Sequence, residues 1–499
     1  MVCCLTVPSP LPARASWCFA FVAAAAALHA LATGLVRPMF QVSDEIGYFA
    51  LAQQHALRQV SDDITRARVM PGGQPFYNSP GGKETFGQAS GALLAAAARR
   101  HGSADAAAIT RLAIAACHVA VVLAVWGLAR RLYPAHVEIA WVASMFAVWQ
   151  PVLTSFDAGV TPDAFANALS AWALYFVACA LTGRRAWLPL LGATLLAAAA
   201  FAFKDTALCV FAAIAWAGVA CVWRDAGRTR ALAGAVGLVG LATIAALTIR
   251  SPYIDDALAR LDATRLEPGL AMRMVTLLAR QFVPAFTSFW TGLGNFGAHA
   301  IFVPAAWTWT VAALCAVAIA GFLRRTDAGS PIGAAAAWWA FGAGIMSGLL
   351  LHPLRVVLLH GVDDFQGRWL FPMIAPMLVA LAAGIRHLLQ TPRASAAAGT
   401  FAATAIGVVP LVLIVVPFFY AAFPADYHVG NLYLQGVYGK GADPARVLAF
   451  VGPLSPWLIT ARAMTFALTL AAAVVAVAIG AGWPRGPART PEPRAEAAR

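Results

Sequence analysis

What most constrains this chain is a run of apolar windows, each roughly 17–25 residues long, set apart by short turns that are charged or rich in Pro and Gly. Backbone polar groups surrounded by hydrocarbon must pair within their own segment or around a closed barrel. Barrel strands would alternate apolar and polar residues, and these windows do not, so the pattern predicts an all-α polytopic membrane protein. With 61% hydrophobic and 11% charged residues, the 499-residue chain carries more apolar side chain than a water-soluble core would bury.

About twelve spans are expected, near 17–36, 109–128, 137–150, 162–181, 187–203, 206–223, 231–249, 302–323, 334–351, 369–389, 400–420 and 457–482. Together they make one transmembrane domain over 1–483, with long outer loops at about 37–105, 250–299 and 421–456. A Pro/Ala/Arg-rich tail, 484–499, reads as a disordered cytoplasmic extension. Within the first outer loop, residues 89–98 are apolar but too few to span, and they end in Arg99-Arg100-His101, the form of an interfacial helix. Arg14 ahead of the first window also has the form of a signal peptide, but a polytopic chain needs none, and the window reads as a span.

Charge sets the orientation. Turns after the even-numbered windows carry Arg130 and Arg131, Arg184 and Arg185, Arg224 with Arg228 and Arg230, Arg324 and Arg325, and Arg386 with Arg393. Basic residues mark cytoplasmic loops, so the long loops and most acidic residues face the other side of the cytoplasmic (inner) membrane. The formal net charge of +13 is spread over these turns and does not gather on a polar domain, which speaks against a nucleic-acid partner. Eight cysteines lack the spacing of a zinc site or a disulfide framework.

This topology brings distant polar residues to one depth at the outer mouth. Asp44 and Glu45 follow the first window, with Tyr48 close behind, and Asp157, Asp163 and Asn167 surround the start of the fourth. Lys204-Asp205 separates the fifth and sixth, and Gln366-Gly367-Arg368 opens the tenth. Each has an ordinary structural explanation. Thr161-Pro162-Asp163 has the form of a helix start, Lys204-Asp205 of an internal ion pair, and Arg368 of a headgroup anchor. Arg111 and His118, inside the second window, read as packing or interface residues with no assigned role. As a set, however, the outer residues suit one chemistry. A carboxylate takes a proton from an acceptor hydroxyl, while Lys and Arg stabilise a phosphate leaving group of a lipid-linked sugar.

The layout resembles the GT-C superfamily of polyprenyl-phosphate-sugar glycosyltransferases, the relatives of protein mannosyltransferases and lipid A aminoarabinose transferases. Asp44-Glu45 in the first outer loop, the interfacial helix, the Arg-tipped hairpin of the second and third windows, and Thr161-Pro162-Asp163 carry the likeness. Gln366-Gly367-Arg368-Trp369-Leu370-Phe371-Pro372 resembles an element of a less characterised bacterial branch. The resemblance implies Asp44 as catalytic base, with Glu45 orienting the acceptor or exchanging roles with it. Arg368, Lys204 and Gln366 would contact the donor phosphate, and Asp163, Asp157, Asn167 and Tyr48 would order the site. The implied partners are a polyprenyl-phosphate-linked sugar, membrane lipids and a glycan, lipid or protein acceptor. Asp44, Glu45, Asp157 and Asp163 suit a divalent cation, although nothing in their spacing demands one. Two rival readings stay open: a transporter or lipid-linked glycan flippase without transferase chemistry, and a non-enzymatic assembly protein.

Overall fold

A computed structural model describes residues 13–36, 82–183, 186–224, 305–323, 333–360, 367–415 and 455–484, with short stretches between 45 and 56 and between 272 and 290. Among the described residues nine helices are long and apolar enough to cross a membrane. A bent pair makes a tenth span, and a shorter apolar helix at Trp187–Phe203 corresponds to an eleventh. The expected window at 231–249 lies outside the described residues.

Helix α1 (Ala13–Val36) has 24 residues, about 36 Å at 1.5 Å per residue, enough to span. Helix α2 (Gly82–His101) covers the stretch expected to be interfacial and is longer than its apolar part alone. It packs along α3 (Ser103–Ile114), which runs with only a slight break at Ala115 into α4 (Ala116–Leu132). Helix α5 (Val137–Trp149) returns and then turns by 63° into α6 (Pro151–Asp157). Between the windows expected at 137–150 and 162–181, residues 151–157 are also helical. Pro151 occupies the first position, where its missing N–H costs nothing, and the Gln150 side chain accepts the Leu153 N–H as a cap. Helix α7 (Pro162–Thr182) and α8 (Trp187–Phe203) form an antiparallel pair, followed by α9 (Asp205–Arg224).

The later spans are α10 (Ala305–Leu323), α11 (Ala334–His360), α12 (Ile374–Leu389, entered through a 3-10 turn at Gly367–Met373), α13 (Pro392–Pro410) and α14 (Pro456–Ala481). The expected span at 400–420 therefore begins eight residues early, at Pro392, where Thr391 caps the helix by accepting the Ala394 N–H at 3.2 Å.

Lipid supplies no hydrophobic drive between helices, so close packing must hold them, and small residues permit it. A Cβ on Gly407 of α13 would lie 2.0 Å from the Trp149 carbonyl oxygen of α5. One on Gly384 of α12 would lie 1.9 Å from the Ala318 carbonyl of α10.

The two ends of the bundle differ in chemistry. At one end, Arg131 Nε donates to Thr182 at 2.6 Å, Arg224 to the Leu181 and Gly183 carbonyls, and Arg393 to the Ala481 carbonyl. Arg386 pairs with Glu138 at 2.8 Å, and Arg14 lies 4.5 Å from the Trp483 ring centroid. These are largely the arginines that the charge pattern grouped on one side. The acidic candidates lie at the other end.

Candidate active site

Glu45 is fully buried, and two elements hold its carboxylate. Arg111, on α3, grips it with two nitrogens: Nε donates to Oε1 at 2.7 Å and Nη2 to Oε2. The Val160 N–H, in the turn before α7, donates to Oε1 at 2.9 Å, and Arg111 Nη1 reaches the Gly34 carbonyl at the end of α1 at 3.2 Å. Arg111 is itself fully buried. A planar fork against a carboxylate is among the few arrangements that make such a pair tolerable away from water.

Beneath this pair lies a second carboxylate. Asp157, the last residue of α6, is fully buried, with His118 Nδ1 3.1 Å from Oδ2 and Asn167 Nδ2 donating to Oδ1 at 3.0 Å. Asn167 stands one turn after Asp163 on the same helix, yet its side chain turns to Asp157. Asp163 is taken by Lys204, whose Nζ lies 2.6 Å from Oδ2, so Lys204 pairs across helices and not with its neighbour Asp205. Thr161 sits at the N-cap with extended backbone, as its sequence context suggests, yet its hydroxyl makes no cap bond and donates to the Phe156 carbonyl at 2.9 Å.

Tyr48 is buried, with its ring 5.8 Å from Lys204 Nζ and edge-on to Phe86 at 5.6 Å. Phe86, Phe165 and Phe203 continue the aromatic contact, the last two stacked at 4.7 Å. Arg368 is only 7% exposed, which removes the reading of a snorkelling headgroup anchor. Its Cζ lies 4.8 Å from the Phe156 ring centroid, a cation–π contact with α6. Phe371, in the same 3-10 turn, meets both Phe156 and Phe289.

Of the sequence candidates, Glu45, Tyr48, Asp157, Asp163, Asn167, Lys204 and Arg368 are therefore brought to one end. Asp44 and Gln366 lie outside the described residues. The sequence reading passed over Arg111 and His118. The signal was present, because two basic residues seven apart, two helical turns on one face, stand inside an apolar membrane window. Among the described residues no group of three or more His, Cys, Asp or Glu side chains has metal-binding geometry.

Two comparisons bear on kinship. Residues 101–252 match the family model described as dolichyl-phosphate-mannose-protein mannosyltransferase. That segment holds α3 to α9 and, with them, Arg111, His118, Asp157, Asp163, Asn167 and Lys204. A solved structure, arabinosyltransferase EmbB from Mycobacterium smegmatis, is similar at 16% identity and a TM-score of 0.43, a likeness too loose to build on. It covers 95% of this chain but 41% of that one, so the chain spans about two fifths of its length. No curated protein matches the sequence. Over residues 101–252, then, this helical chain is similar to a family of membrane mannosyltransferases.

Proposed function

We propose that the chain moves a sugar from a polyprenyl-phosphate donor to a hydroxyl on an extracytoplasmic acceptor, at the end of the bundle that holds Glu45, Asp163, Lys204 and Arg368. The observation that carries the reading is that convergence. Three acidic and three basic side chains, scattered from position 45 to 368, share one mouth, opposite the end where the arginines gather. A transporter is expected to set its charges near the midplane, between repeats.

In this reading Asp44 is the base. Its neighbour Glu45 is fixed by Arg111 and the Val160 N–H, which suits the role of holding the loop and aiming Asp44 better than the role of exchanging protons. Asp44 removes the acceptor proton, the acceptor oxygen bonds to the anomeric carbon, and the bond from that carbon to the phosphate oxygen breaks. The negative charge then gathers on the lipid phosphate. Lys204 has three donors, so it can keep Asp163 and still give one to a phosphate oxygen, and the Arg368 fork supplies a second cation. Gln366 adds a neutral donor beside Arg368.

The test is substitution. Asp44→Asn, at normal protein abundance in the membrane, abolishes the glycan or glycolipid that mass spectrometry assigns to this protein by comparison with cells lacking it. Glu45→Gln, which keeps an oxygen for Val160 but gives up the charge that Arg111 pairs, reduces that product without abolishing it. An unaltered glycan profile in Asp44→Asn cells rejects the proposal and leaves the transporter reading.

A further inference from the structure

The short helix α6 is too brief to be stable alone, yet all seven of its residues are buried. What holds it comes from three other helices. His118 of α4 spans it with one ring: Nδ1 lies 3.1 Å from Asp157, and Nε2 lies 3.4 Å from Thr154, one turn earlier. Asn167 of α7 takes the other Asp157 oxygen. His29 of α1 lies with Nδ1 2.6 Å from the Val148 carbonyl and 3.5 Å from Thr154, at the bend itself.

What α6 holds in turn is the mouth. Phe156 supplies the ring under Arg368, and the turn that leaves Asp157 supplies the Val160 N–H on Glu45. We infer that His118 is a positioning residue that, by clamping Asp157 and Thr154, sets the separation between the acidic loop at Glu45 and the cation at Arg368. Its use in transfer rests on the function proposed above. The clamp itself does not. Misplacement of reacting groups by about 1 Å costs on the order of 100-fold in rate, so an elbow shared by both halves of the site is where a distant side chain gains leverage.

The experiment uses the full chain in lipid nanodiscs and reads amide hydrogen exchange by mass spectrometry, beside glycan product in cells. His118→Leu is expected to speed exchange at least tenfold in peptides covering 156–161 and to leave peptides around Glu138 and Arg386 unchanged. Product falls about 100-fold, the loss expected of a displaced reacting group. His118→Asn places an amide N–H where the ring carried Nδ1, and it restores slow exchange and most of the product. If His118→Leu does not accumulate, Asn167→Leu removes the other clamp on the same carboxylate and is read on the same peptides. No change at 156–161, equal acceleration at both ends of the bundle, or failure of His118→Asn to restore either readout overturns the inference. If Asp44→Asn leaves glycans unaltered while the 156–161 peptides respond as described, the transferase reading falls and the clamp stands.

Discussion

Arg111 is the clearest case of a residue whose importance is set by its surroundings. Burying a guanidinium and a carboxylate together costs a large desolvation penalty, which their attraction offsets only while both are present. Arg111→Ala should therefore cost about 3–5 kcal/mol of stability, because it strands the Glu45 carboxylate in a site with no exposed surface. Arg111→Lys keeps the charge but loses the two-point grip, and it should fall between the two. Thermal unfolding in detergent, followed by tryptophan fluorescence, measures both, and equal midpoints for wild type and Arg111→Ala would refute the claim. At this scale the sequence was only half legible. The acidic pair and the cations could be picked out, since charge at the edge of apolar windows stands out against its neighbours. Which charge meets which could not. Lys204 passes over Asp205 for Asp163, and Asn167 passes over Asp163 for Asp157, because those choices depend on how α7 and α8 are turned about their axes. Helix rotation leaves little trace in helices that are apolar all round.

At the scale of elements, the spans were legible and their ends were not. Apolar length fixes where a chain can cross, but the start of α13 at Pro392 carries Arg393 and Ser395 among small residues, so its hydropathy does not announce a span. Helix α6 was missed for a related reason. Pro151 reads as a terminator, yet here it ends α5 and begins α6 in one step, with the 63° bend between them. The C-terminus of α12 offers a test of local geometry. Gln390 caps it with φ of 56°, the one positive-φ residue other than glycine among the described residues. A side chain there costs free energy that glycine avoids, so Gln390→Gly should gain up to about 1 kcal/mol despite the added freedom of the unfolded chain. The same unfolding assay reads it. A loss of that size would mean that the Gln390 side chain holds more than its backbone geometry shows.

Across the whole molecule, the gathering of arginines at one end was the most legible property, since it depends on counts of Arg in turns and not on packing detail. The arginines the sequence grouped together do meet at one end, through Arg131, Arg224, Arg386 and Arg393. A direct check uses single cysteines in a chain whose own cysteines are replaced by Ala. Arg100→Cys, at the exposed end of α2, should react with a membrane-impermeant maleimide on intact cells. His136→Cys, at the opposite end and 41% exposed, should react only after permeabilisation. The reverse pattern would put the proposed site on the cytoplasmic side and exclude an extracytoplasmic acceptor.

One contact at the mouth joins the start of α3 to the start of α14. The Ser455 N–H donates to Asp105 at 3.1 Å, across 350 positions, and Trp457 lies beside His101. Helix α14 also packs against α1, more than 400 positions earlier in the chain. During synthesis, then, α1 waits for α14, and Asp105 lacks its Ser455 partner until that distant stretch has been made. Chains interrupted before residue 455 should carry every charged residue described at the mouth and still be ready substrates for membrane quality-control proteases.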